Sequence, residues 1–500
     1  MTSANPLAWL TVFGPGAIVA SLTIGTGELI FSSRGGAIFG YRILFLFVLI
    51  SVLKWVLVFS TARHMVLTGA HPFQRWMDLP WGPRGWFPVV LFLMAAVCMP
   101  IWVSFHAGVL GNLISSIVGT QGGLHGTADY LWGSAVLAGI LLLSTKGGYT
   151  ALERVQLAIV AALLLCVTIS LLVSKPDWLE MLIGATIPQG LHYPDWLLRD
   201  PRPEYQSIAA SPVWIETTRY VGVIGGASYD YLAYTSFLRD KCWGWAGRVS
   251  VAGADLAAVA MDPAHPIRRW VRAPLIDCTL SFLVVVVFSS VFVASGVLVL
   301  GPAHQIPGDG NFLEHQAQFV TRIHPWLYPL YAVGALLTML GTLYGTLEVA
   351  PTVLREMVRS FEPEWAERRA RGLRLSAVSW CAGGAFAVLG WSCISCWQGE
   401  AARPAGLTAV LTPANLFTGV LSCGLICLIN PWMDRRYLPE SLRMPRSLRL
   451  LNWLAGGILA ALGLKGYWEH SRWVAMGILA GTVALGFASA WCVARWQKLE

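Results

Sequence analysis

Apolar residues in this chain run in long blocks rather than alternating, and the blocks have the length of membrane spans. Stretches of the roughly 20 residues that a helix needs to cross a bilayer recur twelve times, at about 8–34, 42–66, 88–119, 128–146, 153–174, 213–238, 273–300, 326–348, 375–396, 410–431, 449–465 and 473–495. The pattern predicts an all-α polytopic membrane protein with little mass outside the bilayer. The segments at 128–146 and 449–465 are short and carry glycine, so they mark the spans least clearly.

Two spans are interrupted. The first apolar run, Leu7 to Phe31, contains Ser21-Leu22-Thr23-Ile24-Gly25-Thr26-Gly27-Glu28, which sets a carboxylate at membrane depth beside two glycines. Irregular backbone is tolerated there only where protein or a wet cavity surrounds it, so the stretch predicts half of a binding site. The competing reading is a Gly-kinked helix whose Glu28 pairs with another helix. About two hundred residues later the sixth span reads Tyr220-Val221-Gly222-Val223-Ile224-Gly225-Gly226-Ala227-Ser228-Tyr229-Asp230-Tyr231-Leu232. Again glycines precede a carboxylate, although Asp230 also suits the start of a short helix. Paired Gly-interrupted spans, first and sixth with five spans per half, predict an inverted-repeat transporter with its site at the two breaks. Lys54 lies halfway along the second span, where an unpaired charge costs roughly 3 kcal/mol or more. Glu28, at comparable depth, is its expected partner.

Composition agrees with the class. Hydrophobic residues make up 56% of the chain and charged ones 12%, with mean hydropathy +0.60. A net charge of +8 would suit nucleic acid, but the placement of the 35 Lys and Arg excludes that reading. Alternate loops and the C-terminal tail hold 24 of them and the opposite loops 9, with Lys54 and Arg219 inside spans. The positive-inside rule then puts both termini in the cytoplasm of a cell-membrane protein. The first span lacks a basic leader and a small-residue cleavage site, so no cleavable signal peptide is expected. Most of the ten cysteines fall within spans and read as small apolar packers; Cys393 and Cys396, and Cys423 and Cys427, are the closest pairs. An outer-loop group of His304, Asp309, Glu314, His315 and His324 lacks fixed zinc spacing. The basic stretch 239–272, with Trp243, Trp245 and Trp270, is expected to lie on the cytoplasmic leaflet.

Several motifs in order resemble the Nramp (natural resistance-associated macrophage protein) divalent-metal transporters. They are Phe13-Gly14-Pro15-Gly16, Phe39-Gly40-Tyr41, Thr61-Ala62-Arg63 with Leu67-Thr68-Gly69, Gly147-Gly148-Tyr149-Thr150-Ala151-Leu152-Glu153, Lys175-Pro176-Asp177-Trp178, and Gly341-Thr342-Leu343-Tyr344-Gly345-Thr346 with Arg355-Glu356. The resemblance implies a five-plus-five inverted repeat of the leucine-transporter type with broken helices one and six. One transporter domain would fill residues 1–500, with repeats at about 8–174 and 213–431 and further helices at 449–495. The chain departs from the family where the family binds metal. The family's Asp-Pro-Gly-Asn falls on Gly25-Thr26-Gly27-Glu28, and its Met-Pro-His falls on Ser228-Tyr229-Asp230 with one residue gapped.

The remaining candidates at the breaks are Gly25, Thr26, Glu28, Ser228 and Asp230, with Lys54 as a charge partner. Their carboxylates, hydroxyls and freed carbonyls are oxygen donors, which suit hard ions such as Mg²⁺ or Mn²⁺, with Mg²⁺ the leading expectation because it can pass with part of its water shell retained. The expected function is secondary transport of a divalent cation by alternating access, with the metal as substrate and no cofactor. The alternatives are a same-fold carrier of a small organic solute and a membrane sensor or enzyme. Neither H-E-x-x-H nor G-x-S-x-G is present, so catalysis is not expected.

Overall fold

The computed structural model describes residues 14–144 apart from 17–19, 21 and 22, then 175–307 apart from 249, 250 and 252, 317–398 apart from 319, 322 and 323, and 407–496, with four positions inside 145–174. The span 153–174 and the Gly147–Glu153 motif therefore lie almost wholly outside the described residues, as do Asp309, Glu314 and His315. All the regular elements among the described residues are helical.

In chain order the main helices are α1 (Thr26–Phe39), α2 (Ile43–Thr68), α3 (Trp86–Val118), α4 (Ala128–Ser144), α5 (Trp178–Thr186), α6 (Val213–Val223), α7 (Ser228–Asp240), α8 (Arg272–Ser295), α9 (Tyr328–Phe361), α10 (Ala370–Trp397), α11 (Leu407–Asn415), α12 (Ser422–Tyr437) and α13 (Arg446–Trp496). Seven helical stretches are long and apolar enough to cross a membrane by length and composition. Two of these each hold two of the expected spans. One runs through α1 and α2, which a short turn at Gly40–Arg42 separates, and the other is α13, which breaks at Ser471 and Arg472. The indistinct eleventh span is thus one arm of a bent pair.

The first and sixth spans are broken as the sequence predicts. α1 opens at Gly25, and α6 and α7 flank an unwound Ile224–Ala227 in which Gly225 and Gly226 have φ of +82° and +93°. That left-handed backbone is open to glycine at no steric cost. α8 packs on α1 and α2, while α3 packs on α4, α9 and α10. The two groups meet around the breaks. α1 is buried on every face except at Arg34, which is why its apolar residues form no stripe.

Polar side chains close both ends of this core. At one end Arg34 Nε meets Glu216 Oε1 at 2.5 Å, Arg219 Nη1 meets Oε2 at 3.1 Å, and the Tyr220 hydroxyl donates to Oε1 at 2.7 Å. Arg219, a charge inside a span, has its partner one turn away. At the other end Arg239 pairs with Glu356 at 3.2 Å across α7 and α9, and Arg63 pairs with Asp434 at 2.8 Å. In the loop before α6, hydrogen bonds from Arg202 hold the Asp200 carboxyl down at about 2, and Arg202 also donates to the His304 carbonyl.

One expectation needs adjusting. Trp243 and Trp245 are buried rather than spread on a leaflet, because the Trp245 amide donates to the Val66 carbonyl at 2.9 Å and draws the segment under α2. Of the outer histidines, His304 stacks on Trp196 and His324 caps the turn at Pro325–Leu327, so both have structural employment. Cys393 and Cys396 are free thiols.

Replacing Glu216 with Ala strands Arg34 and Arg219 at a buried end. The expected loss is about 3–5 kcal/mol, read as a lower melting temperature of the purified protein in detergent; an unchanged melting curve would show that the cluster does not hold this end.

Candidate functional site

The unwound segment of the sixth span exposes peptide groups that a helix would have paired internally, and each needs a partner. Lys54, fully buried on α2, supplies three. Its ammonium donates to the carbonyls of Gly222 at 3.1 Å, Ile224 at 2.7 Å and Gly226 at 2.7 Å. The Tyr231 hydroxyl donates to the Gly225 carbonyl. On the donor side, the Gly225 amide goes to Glu28 Oε1 at 2.9 Å and the Ala227 amide to Asp230 Oδ2 at 2.8 Å. The Ile224 and Gly226 amides return to the carbonyls of Tyr220 and Val223.

Glu28 is therefore enclosed. Besides the Gly225 amide it accepts from Ser289 Oγ at 2.7 Å and Ser32 Oγ at 3.3 Å, and it is fully buried. The expected direct pair with Lys54 is replaced by an indirect one. The carbonyls beside Gly225 take the ammonium, the Gly225 amide takes the carboxylate, and no ion pair joins the two side chains among the described residues.

A cavity of about 40 Å³ lies beside the break. Its wall includes Thr23, Gly226, Tyr229 and Asp230 from the two broken spans, Met99, Trp102 and His106 from α3, Thr342 and Thr346 from α9, and Thr418 from the π-helical turn Leu416–Leu421 that joins α11 to α12. Such a turn is a frequent feature of functional sites. Trp102 Nε1 donates to Thr418 Oγ1 at 3.0 Å, and the Trp102 ring stacks on His106 at 5.6 Å between centroids. His106 is only 5% exposed, and its Nδ1 has no hydrogen-bond partner among the described residues.

Of the residues that the sequence singles out, Asp230 lines this cavity and Glu28 does not. Gly25 lies against α9, where a Cβ would run into the Thr342 side chain. Thr26 is buried with Oγ1 unpartnered among the described residues, and Ser228 shares a hydrogen bond of 2.7 Å with Ser422. Sequence reasoning missed Met99 and His106, which sit seven residues apart, two helical turns along one face of α3, with Trp102 between them. That spacing was the available signal. No cluster of three or more His, Cys, Asp and Glu stands in metal-binding distance among the described residues, so the wall offers one carboxylate and one imidazole with hydroxyls and a thioether.

With this geometry in hand, the likeness to known proteins can be placed. The model of the Nramp family (natural resistance-associated macrophage protein-like) matches residues 16–197. The divalent metal cation transporter MntH of Agrobacterium fabrum is 24% identical over 184 residues, covering 35% of this chain and 36% of that protein. MntH of Levilactobacillus brevis is 28% identical over 182 residues, covering 35% and 37%. The matched stretch thus spans little more than a third of those relatives. A crystal structure of a mutant of the Eremococcus coleocola manganese transporter superposes with a TM-score of 0.66 at 14% identity, covering 99% of this chain and 97% of that one. Mhp1, a nucleobase-cation-symport-1 family transporter in a closed conformation, gives 0.50 at 15% identity over 97% and 92%. These structures share the fold.

Glu28→Ala removes the acceptor of the Gly225 amide and of two hydroxyls. An orphaned buried donor costs about 1–3 kcal/mol, so the variant is expected to melt at a lower temperature and to exchange the Gly225 amide hydrogen faster. Normal exchange at Gly225 would disprove the assignment.

Proposed function

We propose that this chain, a divergent member of the Nramp family by the match over residues 16–197, is a secondary transporter that carries a divalent metal cation through the cavity beside Asp230 by alternating access. The observation that carries the reading is the cavity wall. Asp230, a buried His106 whose Nδ1 has no hydrogen-bond partner among the described residues, and Thr23, Thr342, Thr346 and Thr418 line one small cavity. A cavity of about 40 Å³ is small, which supports an ion rather than a bulky organic solute as its occupant. The positive-inside distribution supports an orientation with both ends of this stretch on the cytoplasmic side.

The donors also bear on which ion. An oxygen-only site suits Mg²⁺ and Mn²⁺ alike, but Mg²⁺ demands near-octahedral oxygen ligands and dehydrates reluctantly. Met99 and His106 add a thioether and an imidazole, which reward transition metals. Mn²⁺ is the ion that this mixture fits best, in place of the Mg²⁺ that the oxygen donors alone favour. An ion on Asp230 would draw on the same carboxylate that accepts the Ala227 amide at the start of α7 through Oδ2. That gives a route from binding to movement of the half-helix.

Two measurements test the proposal. Purified protein in liposomes is expected to take up Mn²⁺, and Asp230→Asn to lower uptake about tenfold or more, the worth of one charge-assisted contact of roughly 1.4 kcal/mol. No uptake of any divalent ion by folded wild type would sink it. Met99→Ala is expected to keep Mn²⁺ uptake within about twofold while weakening Cd²⁺ as a competitor, since the thioether serves the softer ion most; undiminished Cd²⁺ competition would remove Met99 from the ligand set.

A further inference from the structure

We infer that the Lys54 ammonium is a tethered monovalent cation, occupying within the break of the sixth span a carbonyl site that a free alkali ion would otherwise fill. The inference is independent of which substrate is carried. Three carbonyls on alternate residues, Gly222, Ile224 and Gly226, converge on one nitrogen at 3.1, 2.7 and 2.7 Å. An ammonium has three donors and no acceptor, and all three are used. Convergent backbone carbonyls in an unwound membrane helix are also the ligand set from which transporters and channels build sites for Na⁺ and K⁺. The Glu28 carboxylate, held by the Gly225 amide between two of those carbonyls, gives this site the negative charge that a cation needs. Converging carbonyls and a carboxylate on the intervening amide are present, and the side chain delivers the charge without a binding step.

The physical consequence is specific. A free ion would leave when its concentration fell, and the carbonyls, their negative ends turned towards one another, would then separate. A lysine cannot leave, so the break keeps its shape in any salt. The ammonium approaches from α2, which binds α6 and α7 to that helix through the cation. Lys54 is accordingly a positioning residue: it does not itself line the cavity and acts through the backbone of Gly226, which does.

Ion replacement separates this from an ordinary buried lysine. Lys54→Met removes the charge and keeps the apolar stem, leaving the carbonyls and Glu28 in place. The full-length variant in detergent is expected to melt low in choline chloride and to recover by roughly 3 °C or more, saturably, as Na⁺, K⁺ or ammonium replaces choline, because a ligand bound only to the folded state stabilises it by mass action. Wild type is expected to melt at one temperature in all four salts. A merely structural lysine predicts loss without ion-specific recovery. A variant that none of the three cations restores, including one that yields no folded protein in any of them, overturns the inference. The second arm needs no variant: wild-type Mn²⁺ uptake is expected to stay within about twofold when choline replaces all Na⁺ and K⁺. A fall of about tenfold, equivalent to 1.4 kcal/mol, would show that a free monovalent ion is required after all and would equally overturn it. Absence of any Mn²⁺ uptake would count against the substrate assignment alone, since the melting series reads the tethered cation without it.

Discussion

Unwinding a helix in a bilayer is permitted only if each released peptide group finds a new partner, because an orphan there costs several kcal/mol. In the sixth span two buried charges and a tyrosine meet that demand: Lys54 takes three carbonyls, Glu28 one amide, and the Tyr231 hydroxyl the remaining Gly225 carbonyl. The charges in turn need the break. An ammonium or a carboxylate at that depth without three or so polar contacts would be far dearer than an unwound turn. Backbone and side chains therefore satisfy one another, and neither is stable alone. The positions of Tyr229 and Asp230 on the cavity wall follow from this exchange, since both belong to the first turn of the helix that the break releases.

Much of this was legible in the sequence, and the reason is the coarse physics of the bilayer. Runs of apolar residues mark spans because nothing else satisfies the backbone there, and Gly25, Gly225 and Gly226 mark breaks because only small residues tolerate them. The least distinct span, 449–465, was short in the sequence because α13 bends at Ser471 and Arg472 and its two arms share a polar turn. What escaped was direction. A carboxylate at a break reads as a ligand, yet the rotation of α1 turns Glu28 towards Gly225 and Ser289, away from the cavity. Likewise Met99 and His106 are ordinary members of an apolar span until the packing of α3 selects which face meets the broken helices.

The departures from the Nramp pattern gain sense from the same geometry. Where the family has an Asp that binds metal, Gly25 lies so close to α9 that a side chain would strike Thr342. The carboxylate moves one turn on, to Glu28, and becomes a partner of backbone. A thioether and an imidazole, which the resemblance would place on the sixth span, reach the cavity wall from α3 as Met99 and His106.

The two half-helices begin in the same register: Gly25 precedes α1 by one residue and Glu28 is its third, just as Ala227 precedes α7 and Asp230 is its third. A carboxylate in the first turn offsets the positive end of the helix dipole, so each repeat solves the electrostatics of a mid-membrane helix start in the same way. The solutions then diverge. Asp230 folds back on its own Ala227 amide and keeps an edge on the cavity, whereas Glu28 reaches across to the opposite break. One carboxylate is thereby spent on joining the repeats and the other is left available to a ligand. A cavity bearing a single negative charge compensates a divalent ion only in part, and the hydroxyls around it add dipoles without adding charge. Such a site would hold a divalent ion less tightly than a pair of carboxylates would, as the proposed transport requires.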